Sequence, residues 1–335
     1  MKNAIVLAAG KGTRMHSDSP KVLHEVCGEP MVSIILDKLK EAGAERIVTI
    51  VGYQHELVEE ALKGRCEFAL QEPQLGSGHA AMQARQLENE QGITLVVNGD
   101  VPCIEAKTYQ ALYEAINDAD MAVLTVKLAN PAAYGRIVRN ADGNIEKIVE
   151  FRDCNEEEKK ICEINTGIYA FRNEDLFAGL KELKNNNAQN EYYITDLVEI
   201  LKSKGKTVKA VLSEDPEEVQ GVNDNVELAK VNAYSRRKIN EGWMRKGVTM
   251  VDPDHTYIGH QVTFGRDVVL YPDTYLYGNT SVGNDTTITP GSYLVNTAVG
   301  SHCLIKASEI IDSTIKDGST VGPYAHLNCF RDKAE

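Results

Sequence analysis

The 335-residue chain contains no apolar run long enough to cross a membrane, and the one nearest its N-terminus, Ala4–Ala9, has six residues. A spanning helix needs about 20, and a secretory leader needs a longer apolar core than this. A cytoplasmic protein is therefore expected, without membrane partners. Positive charge is also in short supply. The net charge is −13 and the pI about 5.2, which excludes the broad basic stripe of a nucleic-acid surface. The seven cysteines (Cys27, Cys66, Cys103, Cys154, Cys162, Cys303 and Cys329) form an odd set with no Cys-x-x-Cys pair. Neither a disulfide framework nor a thiolate zinc site is indicated, and free buried thiols are the expectation. A P-loop is missing as well, because no glycine stands five residues before Gly10. No histidine–acid pair is suggested beside a serine or cysteine, which leaves covalent catalysis without an obvious nucleophile.

What is present centres on Ile5–Lys21, where a short apolar strand breaks into Gly10, Lys11, Gly12, Thr13 and Arg14, followed by Pro20 and Lys21. Glycines let the backbone approach a ligand closely, so that successive N–H groups converge on phosphate oxygens. Over residues 1–25 four cations (Lys2, Lys11, Arg14, Lys21) face two anions (Asp18, Glu25), a local excess of positive charge in an acidic chain.

With 42% hydrophobic residues over this length, two domains are expected. Up to about residue 212, strand-like runs alternate with helical periods, the pattern of a mostly parallel α/β sheet. The strand candidates are Ala4–Ala9, Arg46–Val51, Cys66–Leu70, Ile93–Val97, Met121–Lys127, Ile164–Phe171 and Thr207–Leu212. Helices are expected over Met31–Ala42, Glu174–Leu183 with Asn173 as its cap, and Tyr193–Lys202. Asp142-Gly143 predicts a hairpin between Arg136–Arg139 and Asn144–Val149. Val226–Arg245 reads as one long polar helix connecting the domains. The boundaries are then 1–225, a linker helix over 226–249, and 250–335.

Beyond that helix the period changes. Ile258, Phe264, Leu270, Leu276, Val282, Ile288 and Leu294 recur every six residues, with Val262, Val268, Thr274, Thr280, Thr286 and Ser292 two places before successive members. This is the hexapeptide signature of a parallel β-helix, in which one apolar residue per hexad points inward and a small residue turns the corner. The register slips to Val299, Ile305 and Ile311, and again to Ile315, Val321 and Leu327. About four triangular coils fit, and so short a solenoid needs a cap or a partner at its exposed end.

Two motifs carry further chemistry. Gly76-Ser77-Gly78-His79-Ala80-Ala81 matches a dinucleotide fingerprint, yet Gln71–Leu75 separate it from its strand and it does not open the sheet, which argues against nicotinamide binding. Asn98-Gly99-Asp100 closes a strand. There Asp100 either holds a divalent cation between phosphates or caps the next turn. Glu150 and Asn165, read alone, are equally edge-strand polar residues, and Asn223 equally a helix cap.

Leu7-Ala8-Ala9-Gly10-Lys11-Gly12-Thr13-Arg14-Met15 with Pro20-Lys21 resembles the signature of sugar-nucleotide pyrophosphorylases. Gln71, Leu75–Ala80, Asn98-Gly99-Asp100-Val101-Pro102, Tyr134-Gly135-Arg136, Glu150, Asn165-Thr166-Gly167, Asn187–Asp196 and Gly221-Val222-Asn223 are similar to the N-acetylglucosamine-1-phosphate uridylyltransferase branch. The match runs in order along nearly the whole chain, and the hexads fit the β-helix of the bifunctional family, which carries a glucosamine-1-phosphate acetyltransferase. The resemblance implies a Rossmann-like nucleotidyltransferase domain followed by a short left-handed parallel β-helix. Its implied substrates are UTP and N-acetylglucosamine 1-phosphate, with Mg²⁺ as cofactor, a homotrimer through the β-helix, and a place in cell-wall precursor synthesis. It also implies roles: Leu7, Ala8, Ala9 and Gly10 against the nucleotide, Arg14 and Lys21 on the triphosphate as catalytic residues, and Gln71, Gly76 and Ser77 at the uracil. Asn98 and Gly99 would flank the substrate, Asp100 and Asn223 would ligate Mg²⁺, and Gly135, Glu150, Asn165 and Thr195 would contact the sugar. The repeat stops at Asn328-Cys329-Phe330-Arg331-Asp332-Lys333-Ala334-Glu335, before the coils that in that family hold acetyl-CoA and a catalytic histidine. A truncated or naturally short form without acetyltransferase activity is the resulting expectation. The alternatives are a different sugar-1-phosphate nucleotidyltransferase and a non-catalytic regulatory subunit of the same fold. A non-catalytic relative has no reason to keep Arg14, Lys21, Asp100 and Asn223 together.

Overall fold

In the computed structural model, which describes residues 1–187 and 189–328, the first apolar run is strand β1 (Lys2–Leu7). Ala188 of the Asn187–Asp196 motif, and residues 329–335 with Cys329, lie outside the described residues. The chain falls into two units: residues 1–24 with 30–227, and residues 25–29 with 228 onward.

Alternation along the strands of the first unit builds its two cores. Ala4 and Val6 of β1 face one side of the sheet, and Ile5 faces the other. On the first side the apolar stripe of α1 (Met31–Glu41), spaced at helical period, buries Val32, Ile35, Leu36 and Leu39. Strands β2 (Arg46–Val51) and β3 (Glu67–Leu70) follow, with α2 (His55–Ala61) between them. The chain then enters α3 (Ser77–Met82), β4 (Ile93–Asn98), α4 (Ala106–Ala115), β5 (Met121–Lys127) and the hairpin β6 (Arg136–Arg139) and β7 (Ile145–Val149). Strand β8 (Glu163–Arg172), helices α5 (Asn173–Leu180) and α6 (Leu197–Ser203), and strand β9 (Val208–Leu212) complete the sheet. Its order is β9-β5-β8-β4-β1-β2-β3, with β6 paired to β8 and β7. All main-path pairings are parallel except those of β8, which runs antiparallel to both β4 and β5.

Several sequence expectations shift. Strand β1 ends at Leu7 rather than Ala9, although the Ala8 N–H still donates to the Ile50 carbonyl at 2.9 Å. The segment at Tyr193 begins with a 3₁₀ turn, Ile194–Asp196, before α6. Asn173 is not a cap. It is 1% exposed and accepts from the Thr94 hydroxyl, while its Nδ2 donates to the Leu87 and Glu90 carbonyls at 2.7 Å each. Among the described residues the cysteines form no disulfide, and Cys162 is exposed rather than buried.

Among its described residues the second unit contains a β-helix of very short parallel strands in three sheets of five, five and four. Stacked partners are like on like, with Leu276 under Leu294 and Leu270 under Ile288. The threonines and serine predicted at the corners are enclosed because their hydroxyls satisfy turn carbonyls: Thr280 Oγ1 donates to Tyr277 O at 2.6 Å and Ser292 Oγ to Thr289 O at 2.8 Å. Asp267, Asp273 and Asp285 take positive φ near 55°, a conformation short polar side chains tolerate at such bends. One register expectation is wrong: Ile310, fully buried, points inward where Ile311 was expected, since the chain takes two successive short steps there. At the N-terminal end the long helix α7 (Asn225–Arg245) closes the coil with Ile239, Trp243 and Met244, the indole meeting Phe264 edge-on at 5.0 Å. Among the described residues no helix is long and apolar enough to cross a membrane.

Candidate active site

From β1 the sheet extends in two directions, to β2 and β3 on one side and β4 on the other, so a crevice opens beyond the C-terminal ends of β1 and β4. Ligands of open α/β sheets bind at such switch points. Leu7 and Asn98 are paired across it, and the Gly99 N–H donates to the Leu7 carbonyl at 2.9 Å. A Cβ on Gly99 would lie 2.9 Å from that same oxygen, so only glycine fits the approach. Ala8 and Ala9 are buried beneath the loop, whereas Gly10 is exposed with nothing within 4 Å of where its Cβ would be.

Gly12, at φ 64°, carries the loop back over Lys21, and a Cβ there would sit 2.5 Å from the Lys21 Cβ. Pro20 precedes a single 3₁₀ turn, Lys21–Leu23, whose Leu23 N–H bonds the Pro20 carbonyl at 2.9 Å. This aims the Lys21 ammonium at the strand end, where it ion-pairs with Asp100 and lies 3.4 Å from the Asn223 carboxamide oxygen. The loop bearing Asn223 is held there by its backbone, Val222 N–H donating to the Asp100 carbonyl at 2.9 Å, and by Glu227, which accepts from the Asn223 N–H at 2.7 Å. One carboxylate and one amide oxygen thus converge on a single positive charge. An all-oxygen pair of this kind suits Mg²⁺, which takes one or two carboxylate-type ligands and completes its shell with phosphate and water.

On the β2–β3 side, Gln71 is 5% exposed, and its Nε2 donates to the Gly76 carbonyl at 3.0 Å. Gly76 has φ 101°, and any Cβ would strike the Tyr192 carbonyl at 2.8 Å. The Ser77 hydroxyl accepts from the Ile194 N–H at 3.2 Å, tying the glycine loop to the segment that carries Thr195.

On the β8 side, a bulge between Asn165 and Tyr169 interrupts pairing with β5. Bulges re-aim side chains. Gly167 at its apex has φ 78° and faces Asn98, whose Nδ2 lies 2.3 Å from the position of an added Cβ. The Asn165 carboxamide is held at both ends, its Nδ2 donating to the Tyr169 hydroxyl at 2.7 Å and its oxygen accepting from Gly167 N–H at 3.1 Å. Gly135 backs onto this residue and Glu150: a Cβ there would be 3.5 Å from Glu150 Oε2 and 3.6 Å from Asn165 Cβ. Thr195 Oγ1 is 3.5 Å from Glu150 Oε1. Burial raises the Glu150 carboxyl above the ordinary glutamate value, with Asp153 adding to the effect and the Thr195 hydroxyl opposing it. Gly135, Glu150, Asn165 and Thr195 are therefore brought together. Arg14, exposed on its 3₁₀ turn, lines a cleft with Glu150, Phe151 and Arg152.

Three residues without an assigned role also belong here. The Tyr134 phenol meets the Gly221 backbone and feels Asp100 and Glu227, so Tyr134 and Gly135 bridge from the Asp100 group to the Glu150 group. Glu227 anchors the Asn223 loop, and Tyr169 anchors Asn165. Tyr134 falls inside a recognised motif, but nothing in the local sequence marks Glu227 or Tyr169.

Residues 4–154 match the family of MobA-like NTP transferase domains. The bifunctional protein GlmU of Geobacillus sp. (strain WCH70) is 47% identical over 327 residues, covering 97% of this chain and 71% of the relative. Proteins of the same name from Halalkalibacterium halodurans and Exiguobacterium sibiricum are 45% and 48% identical over 97% of this chain, and 72% and 73% of the relatives.

Proposed function

The chain belongs to the family of the bifunctional GlmU proteins and carries a nucleotidyltransferase domain; on that premise we propose that it transfers a uridylyl group from UTP to N-acetylglucosamine 1-phosphate, releasing UDP-N-acetylglucosamine and pyrophosphate. The observation that carries the reading is the continuity of the site: the Lys21–Asp100–Asn223 group is joined through Tyr134 and Gly135 to the pocket of Glu150, Asn165 and Thr195. A cation held by oxygens and a cluster of polar side chains thus stand next to one another, which supports a substrate carrying both phosphate and sugar.

The acceptor is a phosphomonoester whose second pKa is about 6, so its oxygen is already anionic at neutral pH and no general base is required. A phosphate oxygen of the sugar phosphate forms a bond to the α-phosphorus of UTP as the bond to pyrophosphate breaks. The difficulty lies in bringing two polyanions together and stabilising the departing charge. Lys21 contributes a point charge at the attacked phosphate. Arg14 offers a planar fork to the departing phosphates. Leu7–Gly10 and Asn98–Gly99 present backbone to the nucleotide, Gln71, Gly76 and Ser77 take the base, and Gly135, Glu150, Asn165 and Thr195 orient the sugar. Asp100 and Asn223 would hold Mg²⁺, which when bound neutralises charge between the phosphate groups.

The reading extends to supply of a cell-wall precursor and to a homotrimer through the β-helix; acetyl transfer is not part of it. Incubating the protein with each of four nucleoside triphosphates, Mg²⁺ and N-acetylglucosamine 1-phosphate, and following pyrophosphate release, tests it. Release with UTP alone supports the proposal. Release with a different nucleotide favours another sugar-1-phosphate nucleotidyltransferase, and none from folded protein favours a regulatory subunit.

A further inference from the structure

Gln71 is oriented in a way that limits what it can read. Its Nε2 faces the Gly76 carbonyl at 3.0 Å, and only a donor can bond a carbonyl, so the nitrogen end of the carboxamide is fixed there. The same nitrogen stands 3.2 Å from His79 Nδ1, which takes its second hydrogen when the imidazole proton is on Nε2. Both amide hydrogens are thereby used, while Oε1 takes no hydrogen bond from any described residue and is not among the enclosed unpaired atoms. The free end of this buried side chain is an acceptor only.

We propose that His79 is a positioning residue that locks the Gln71 carboxamide with its oxygen outward, so that the oxygen accepts the N3–H of a uracil ring and selects uridine over cytidine nucleotides. This rests on the reading of Gln71 as the base-contacting residue. Uracil carries a hydrogen on N3, whereas cytosine presents a lone pair at the same position, which would face the Gln71 oxygen acceptor to acceptor. Were the carboxamide free to turn over, it could satisfy either base, and discrimination would vanish.

The imidazole must be neutral and accept at Nδ1 to do this, which places its proton on Nε2. Burial favours the neutral ring, holding His79 below the ordinary histidine value. Its other nitrogen stands 3.2 Å from Gln83 Nε2, which also donates to the His79 carbonyl at 2.9 Å. A neutral ring has one acceptor, and the more deeply buried amide, already tied to Gly76, has the stronger need of it; Gln83 then gives up its bond to the His79 carbonyl as its carboxamide turns toward solvent or presents its oxygen to the Nε2–H, a loss that water offsets at its half-buried position. Tyr192, with its ring centroid 6.2 Å away, supports the imidazole from the side.

The test compares kcat/KM for UTP and for CTP in the wild type and in four variants, with thermal melts to confirm folding. His79→Phe keeps a ring and removes the acceptor, and the UTP:CTP ratio is expected to fall at least roughly tenfold, chiefly through a higher KM for UTP. His79→Asn places a carboxamide oxygen near the Nδ1 position and should retain most of the ratio. If His79→Phe does not fold, His79→Ala against His79→Asn makes the same comparison without the ring. A folded acceptor-less variant with an unchanged ratio overturns the proposal. Gln71→Ala separates the two failures: a ratio lost there but kept in His79→Phe sinks only the role of His79, whereas a ratio unchanged in Gln71→Ala removes Gln71 from base contact altogether.

Discussion

Lys21 and Asp100, 79 residues apart in sequence, form an ion pair at the end of β4, their side chains 14% and 21% exposed. The oxygens that hold this ammonium are the ones that, on the proposed reading, a divalent cation would need, so lysine and metal would compete for one place.

Lys21→Ala should therefore do two opposite things. Turnover falls by about 10²–10³, the usual loss when one charge-stabilising group is removed from a reacting centre. Binding of Mn²⁺ to the free protein, read by magnetic resonance or calorimetry, becomes tighter. The melting temperature also falls, because the Asp100 carboxylate is left largely buried without its partner. Weaker Mn²⁺ binding in the variant would mean that the lysine supports the metal rather than excluding it.

Gly12→Ala tests the loop. At φ 64° with Lys21 Cβ so close, a methyl group must displace either the turn or the lysine. The backbone conformation alone costs about 1–2 kcal/mol in an L-residue. We expect kcat to fall at least about tenfold, since either displacement changes how the loop sits against Lys21. Wild-type kcat in Gly12→Ala would show that the loop's path is unimportant.

Asn173→Ala bears on folding rather than activity. It takes the acceptor from the Thr94 hydroxyl and a donor from each of the Leu87 and Glu90 carbonyls, of which the Leu87 oxygen keeps the Glu90 N–H at 3.0 Å. Each unsatisfied buried group costs about 1–3 kcal/mol, so urea unfolding should show a loss of several kcal/mol. A loss under about 1 kcal/mol, the size of a forfeited helix cap, would restore the capping role.

Asp196 supplies a pH dependence. Burial, with Glu199 and Asp153 nearby, raises its carboxyl from 3.8 to about 6. The folded state then binds a proton more tightly than the unfolded state, so ionising Asp196 erodes stability as pH rises from about 4 to about 6 and leaves it lowered above that. Asp196→Asn should melt higher than wild type at pH 7.5, with the difference shrinking through that window and vanishing near pH 4. A difference that grows toward low pH would reverse the sign of the argument.

Much of this architecture could be read directly from residue order. The hexads are legible because one inward apolar residue per side leaves a period that neither helix nor ordinary strand produces. Ile310 escaped because two shortened steps in a row leave Ile310 and Ile311 equally apolar candidates. The reversed direction of β8 left no trace, since a fully buried strand looks alike whichever way it runs. Asn173 read as a cap because short polar residues favour helix starts, and only the packing shows its side chain turned inward. At the site the limit is distance along the chain. Lys21 meets Asp100 across 79 residues and Asn223 across 202, separations with no local signal. Resemblance to a known family brought those residues together in advance; the contacts of Glu227 with the Asn223 backbone, of Tyr169 with Asn165 and of His79 with Gln71 became visible only in three dimensions.

The β-helix has a further consequence. Leu276 lies under Leu294, Leu294 under Ile310, and Ile310 under Leu327, yet the chain lengths between these partners are unequal. Bends absorb the differences, so every rung stays aligned while the loops between rungs lengthen or shorten. Such a solenoid keeps time by strands rather than by residues. Insertions and deletions at its corners should be absorbed where they occur, whereas a single residue added within a rung would throw every later layer out of phase.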